Sequence, residues 1–160
     1  MINLIKFQIK RLITMLASLV FKTRVGKFAS EKLIYLSLNS KKEIYYRKYN
    51  LRFAVPNSIS RFRIDTFATK EPETLSWIDT FERNAVFWDI GANIGLYSCY
   101  AAKSTDCKVY AFEPSIFNLE LLGRNILLNQ LTDRITVIPL PLTEELLENT
   151  LNMSTTEKGG

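Results

Sequence analysis

Histidine is absent from this chain of 160 residues, and cysteine occurs only twice, at Cys99 and Cys107. With no histidine and no CxxC pair, no metal site is expected, and no imidazole is on hand as a general base. Two isolated cysteines in apolar sequence read as reduced thiols, the habit of a protein kept in the cytoplasm. Long hydrophobic runs are missing as well. The longest uncharged stretch of the N-terminal segment, Leu12 to Phe21, is too short for a bilayer-spanning helix, which needs about 20 residues. No small-x-small cleavage site follows Phe21, so a signal peptide is set aside. Glycine is scarce, six in all, and there are no internal repeats or low-complexity tracts.

What is present is an ordinary globular composition, 47% hydrophobic and 23% charged, with room for about one domain. The net charge of +5 conceals an asymmetry. Residues 1–70 hold 15 Lys and Arg against three acids, and residues 71–160 hold six against 13. A basic N-terminal segment is therefore joined to a mildly acidic domain. An anionic membrane surface, a phosphorylated substrate or nucleic acid could answer such a charge, and no nucleic-acid module accompanies it.

The basic segment, assigned to residues 1–43, opens with MINLIKFQIKRLITMLASLVFK. At about 100° per residue, Ile5, Ile9, Leu12, Ile13, Leu16, Leu19 and Val20 share one helical face, and Lys6, Lys10, Arg11 and Lys22 lie on the other. This amphipathic helix over residues 5–21 either lies on the inner face of a membrane or packs on the domain or a second copy. Residues 23–42 read as a basic helix or connector.

The remainder, 44–160, changes character. EIYYRKYNLRFAV has strand composition, Pro56 and Asn57 mark a turn, and Pro72 between Glu71 and Glu73 opens a helix. AVFWDI, KVYAFEP and RITVIPLP then alternate with the helical GLYSCYAAK and SIFNLELLGRNILLNQ, which predicts parallel βαβ units. The tail from Thr143 onward offers a short helix or turn and room for one more strand.

Two of the six glycines, Gly91 and Gly95, sit in WDIGANIG, between a predicted strand and a predicted helix. Such a turn is where α/β proteins hold nucleotides. A dinucleotide fingerprint would place glycine where Asn93 and Leu96 stand, and Asp89 repels a phosphate but suits an amine. Glu113 ends the next strand, where an acid accepts hydrogen bonds from ribose hydroxyls. A ribose, an amine and no phosphate together describe S-adenosylmethionine.

VFWDIGANIGLYSCYAAK with VYAFEPSIFNLELLGRNILLN resembles the FkbM family of class I S-adenosylmethionine-dependent methyltransferases, over roughly residues 50 to 160. The resemblance implies a Rossmann-like α/β sheet and O-methylation of a sugar, glycan or secondary metabolite. It assigns Asp89, Gly91, Ala92, Asn93 and Gly95 to the methionine part of the cofactor, Glu113 to the ribose, and Pro114 and Ser115 to the adenine side. Glu71 falls where the methionine amine is approached, with helix capping as its alternative, and Asn125 and Asn129 read as capping and packing residues. The sheet is expected to be incomplete, with strands 1 to 3 and flanking helices, so that AVFWDI becomes a bare edge. The chain then reads as a truncated cofactor-binding half without turnover of its own. A non-catalytic remnant acting through its basic N-terminus is the alternative.

Overall fold

The computed structural model describes residues 2–142 and 156–160, with side chains from Ile5 onward. The chain forms two compact units, Met1–Leu38 and Asn39–Gly160. The first is a pair of helices, α1 (Ile2–Phe21) and α2 (Arg24–Leu38). Thr23 separates them: its hydroxyl donates to the Val20 carbonyl at 2.8 Å and accepts the Gly26 N–H at 3.0 Å. The close approach makes glycine obligatory, since a Cβ on Gly26 would fall 1.9 Å from the Val20 oxygen.

The second unit begins with an antiparallel hairpin, β1 (Lys41–Tyr46) and β2 (Tyr49–Ala54), so Lys41–Glu43 belong to this unit and not to the basic extension. The sequence reading took this segment as one strand-like stretch. It is bent by a two-residue turn at Arg47–Lys48 with Arg47 at φ 52°, a conformation no glycine or asparagine advertises. Three short helices follow: α3 (Ser58–Asp65), α4 (Phe67–Lys70) and α5 (Pro72–Ile78). Asn57 caps α3 through the Ser60 N–H, and Pro72 starts α5, where its missing donor costs nothing. Leu75 and Ile78 of α5 are fully buried, whereas Trp77 is half-exposed.

The three expected parallel strands then appear in order β3–β4–β5: β3 (Val86–Ile90), β4 (Lys108–Phe112) and β5 (Ile135–Ile138). They are joined through α6 (Leu96–Thr105) and α7 (Ile116–Leu128), which makes this a Rossmann-like half-sheet. Phe87, Val109, Ala111 and Ile135 face the helices and are buried. The opposite face carries Val86, Trp88 and Ile90, all more than half exposed, and among the described residues β3 is a free edge. The tail expectation falls largely on 143–155, outside the described residues.

The core closes where the hairpin meets the helices. Tyr100 of α6 is fully buried between Tyr46, Tyr49 and Phe67, each edge-on at centroid distances of 5.2, 6.2 and 5.8 Å. Such pairs contribute about 0.5–1.5 kcal/mol apiece beyond their area. Tyr100 donates its hydroxyl to Asp79, so its polar end is satisfied. On α7, Asn125 and Asn129 do more than cap. Asn129 accepts the Arg52 N–H at 2.9 Å and donates to the Arg52 carbonyl at 2.7 Å, and Asn125 accepts the Ala54 N–H at 2.8 Å. The outer edge of β2 is thus paired to side-chain amides, as it would be to another strand.

Candidate functional site

The turn between β3 and α6 departs from ordinary backbone at alternate residues: Gly91, Asn93 and Gly95 have φ of 79°, 51° and 78°. Asparagine is among the few non-glycine residues that enter this region readily, so Asn93 meets the need that a glycine would. The two glycines differ in their reasons. A Cβ on Gly91 would meet nothing within 4 Å, so conformation alone requires it and the space beside it is open. A Cβ on Gly95 would fall 2.3 Å from Leu122 Cδ1, so close packing of α7 is added, rather than packing against the strand.

Glu113 fastens this turn to the next. It is only 5% exposed, and its two carboxylate oxygens accept the N–H groups of Asn93 and Ser115, each at 2.8 Å. Sequence reasoning placed it at a ribose; what the geometry shows is Glu113 stapling the β3–α6 and β4–α7 turns together. Ionised carboxylate offers about four acceptor positions, so two remain. Pro114 and Ser115 follow at the entry to α7, where Ser115 is the N-cap without a side-chain cap bond. Asn125 reaches the turn from behind, donating to the Ile94 carbonyl at 2.8 Å from a fully buried position.

In front of the turn lies a cavity of about 430 Å³. Glu71, Asp89, Gly91, Ala92 and Asn93 line it, while Gly95, Glu113, Pro114 and Ser115 do not. Asp89 is half-buried and accepts the Ser98 hydroxyl. Burial pushes its carboxyl above the ordinary carboxylate range; Ser98 opposes that rise and the Glu113 charge adds to it. Glu71 is the N-cap of α5 but makes no capping bond with its side chain. Its carboxylate lies 3.6 Å from Lys70 Nζ, and burial together with the Glu71 charge pushes the pKa of the Tyr97 hydroxyl up to about 12. Tyr97 therefore stays protonated at neutral pH and serves as a donor, not a base.

Sequence reasoning missed the other wall. Arg63, Phe67, Lys70, Thr74 and Trp77 line the cavity too. They recur every three or four positions through α3, α4 and α5, a helical stripe that the sequence carries but that mixes charge, hydroxyl and ring. The segment Lys158–Gly160 reaches the same region: Asn93 Nδ2 donates to the Gly160 carbonyl at 3.1 Å, and Gly159 N–H donates to Asn118 Oδ1 at 2.8 Å.

The half-buried Asp89 carboxylate, and a turn whose amide is already committed to Glu113, suit a cationic group better than a phosphate at this turn, while Arg63 and Lys70 balance Glu71 and Asp89 around the cavity. Over 94 residues, 58% of the chain, the sequence is 33% identical to the hexuronic acid methyltransferase AglP of Haloferax volcanii. The similarity is to a methyltransferase. The chain spans about 36% of that relative's length. No family model matches. Among solved structures, a precorrin-6y C5,15-methyltransferase from Geobacter metallireducens is 22% identical with a TM-score of 0.40, covering 44% of this chain and 37% of that one. A tRNA methyltransferase from M. jannaschii is 24% identical with a TM-score of 0.44, covering 62% and 29%.

Proposed function

We propose that Asn39–Gly160 is the cofactor-binding part of an S-adenosylmethionine-dependent methyltransferase of the FkbM kind that methylates a sugar hydroxyl. The observation that carries this reading is the state of the glycine turn. In a dinucleotide enzyme the turn's amides and helix start are left for a pyrophosphate. In this chain the Asn93 amide is spent on Glu113, and Asp89 stands two residues before Gly91. Two carboxylates at the turn repel a phosphate and attract a cation.

Asp89 and Glu71 are the residues that would take the methionine ammonium, and the free acceptor positions of Glu113 would take the ribose hydroxyls. When bound, the cofactor supplies an electrophilic methyl on a sulfonium, so the protein's task is to orient the acceptor and exclude water. The sugar acceptor is supported by the 33% identity to a hexuronic acid methyltransferase. The exposed face of β3 favours a longer functional assembly over a non-catalytic remnant, since Val86, Trp88 and Ile90 form a surface that folded proteins cover.

Isothermal titration of the chain with S-adenosylhomocysteine and with NAD tests the reading. The demethylated cofactor should bind and NAD should not. Asp89→Asn, which removes charge but keeps the shape, should weaken binding by about tenfold, near 1.4 kcal/mol. NAD binding, or S-adenosylhomocysteine binding indifferent to Asp89→Asn, refutes it.

A further inference from the structure

The helical unit Met1–Leu38 carries a surface unlike that of the rest of the chain. Along α1, Ile5, Ile9, Leu12, Ile13, Leu16, Leu19 and Val20 are each half-exposed or more, on one face of a 20-residue helix. A soluble helix turns such a stripe inward. No acid occurs before Glu31, and residues 1–38 hold seven Lys and Arg against that one carboxylate. Among the described residues no helix is long and apolar enough to cross a membrane. Lys6, Lys10 and Arg11 interrupt the N-terminal half of α1 and leave spanning out of the question.

We propose that the α1–α2 unit binds the interface of an anionic lipid bilayer, with the apolar face of α1 sunk at the level of the acyl chains and its cations at the headgroups. Three features select this occupant. The apolar stripe and basic residues divide between opposite faces, as an interfacial helix requires. A second copy is a poor cover for the stripe, because it would bring seven like charges to seven with one acid apiece to offset them. Nucleic acid would answer the charge but leave the aliphatic stripe in water. Lysine stems at the margins can lie along the apolar boundary while their ammonium groups reach the phosphates.

The test uses the whole chain with vesicles of phosphatidylcholine and phosphatidylglycerol at 70:30, and of phosphatidylcholine alone, in a flotation assay. Binding is expected to the anionic vesicles and to weaken steeply between 50 and 500 mM NaCl. K6Q/K10Q/R11Q should weaken it by about a hundredfold, as three cations near a charged surface would. L12D/L16D should abolish it. In each variant, protection of the buried Cys99 from a thiol reagent reports that the second unit is folded. Should L12D/L16D fail to express, the triple glutamine variant and the salt series decide the matter. The proposal is overturned by equal binding to neutral vesicles or by indifference to K6Q/K10Q/R11Q. It is also overturned if the parent ignores both vesicle types, including the case in which L12D/L16D turns an oligomer into a monomer, which would give the stripe to a second copy.

Discussion

Asn125→Ala should be among the most costly single substitutions in the second unit. Asn125 is fully buried, with Oδ1 on the Ala54 N–H and Nδ2 on the Ile94 carbonyl, both at 2.8 Å. Truncation leaves a donor of β2 and an acceptor of the glycine turn without partners in a place water does not reach. Each orphaned group costs about 1–3 kcal/mol, so the pair costs about 2–6 kcal/mol before any cavity is counted. Against a typical domain stability of about 5–15 kcal/mol, that is a large fraction. Asn125→Asp separates the two bonds: a carboxylate keeps the acceptor for Ala54 but sets a buried negative charge against the Ile94 oxygen, and should cost at least as much.

Urea unfolding followed by tryptophan fluorescence measures the loss, since Trp77 and Trp88 both sit in the second unit. Amide exchange localises it: the Ala54 N–H should exchange far faster in the alanine variant. Because the Ile94 carbonyl belongs to the turn, S-adenosylhomocysteine binding should fall by more than the lost folded population explains. A loss below about 0.5 kcal/mol, the level of an ordinary surface change, would refute the bridge. So would an Ala54 amide that exchanges as in the parent.

Glu113→Ala should cost both stability and affinity, because it strands the Asn93 and Ser115 amides; about 2–4 kcal/mol of unfolding free energy is expected from the same urea titration. Gly91→Ala should cost about 1–2 kcal/mol for its left-handed backbone, and Gly95→Ala about 2–4 kcal/mol, since the methyl also meets Leu122 in the core. Asp89 must be ionised to hold an ammonium and its pKa is raised, so S-adenosylhomocysteine affinity should decline with falling pH, beginning above the ordinary carboxylate range. Ser98→Ala should move that decline to still higher pH, and Asp89→Asn should flatten it. The raised carboxyl also means that ionised Asp89 costs folding stability, a cost relieved as pH falls through its native pKa. Burial pushes the Cys99 and Cys107 thiols up, so neither should react with iodoacetamide at pH 8 until urea unfolds the chain, as mass spectrometry would read.

The parts of this fold that a linear pattern encodes were legible. Strand–helix alternation from Val86 to Ile138 is local periodicity, and Pro72 is a positional rule of helix starts; both need only neighbours in sequence. The glycine turn was legible in position but not in cause. Gly95 serves a contact with Leu122, 27 positions along the chain by its number, and no local rule names that partner. The hairpin bend at Arg47–Lys48 escaped because its residues are not turn formers, and packing of Tyr46 and Tyr49 around Tyr100 overrides their preference.

Asn125 and Asn129 show why side-chain roles resist such reading. A helix with polar residues four apart near its end ordinarily reads as capping, and Asn129 does stand at the C-cap of α7. What decides their role is that β2 approaches α7 with its edge, 71 and 77 residues away in sequence, and needs partners for Arg52 and Ala54. Backbone groups in a buried edge must be paired, and only a side chain with both a donor and an acceptor can take the place of a strand. Asparagine is the shortest residue that offers the two on separate atoms of a planar amide, as the backbone itself does. The same accounting extends to the site: one amide of Asn125 joins the β2 edge to the turn that carries Gly91, Asn93 and Gly95. The outer hairpin, which touches no part of the cavity at Ala54, thereby bears on the shape of that turn, and a substitution at Asn125 should be felt at the cavity without altering any residue that lines it.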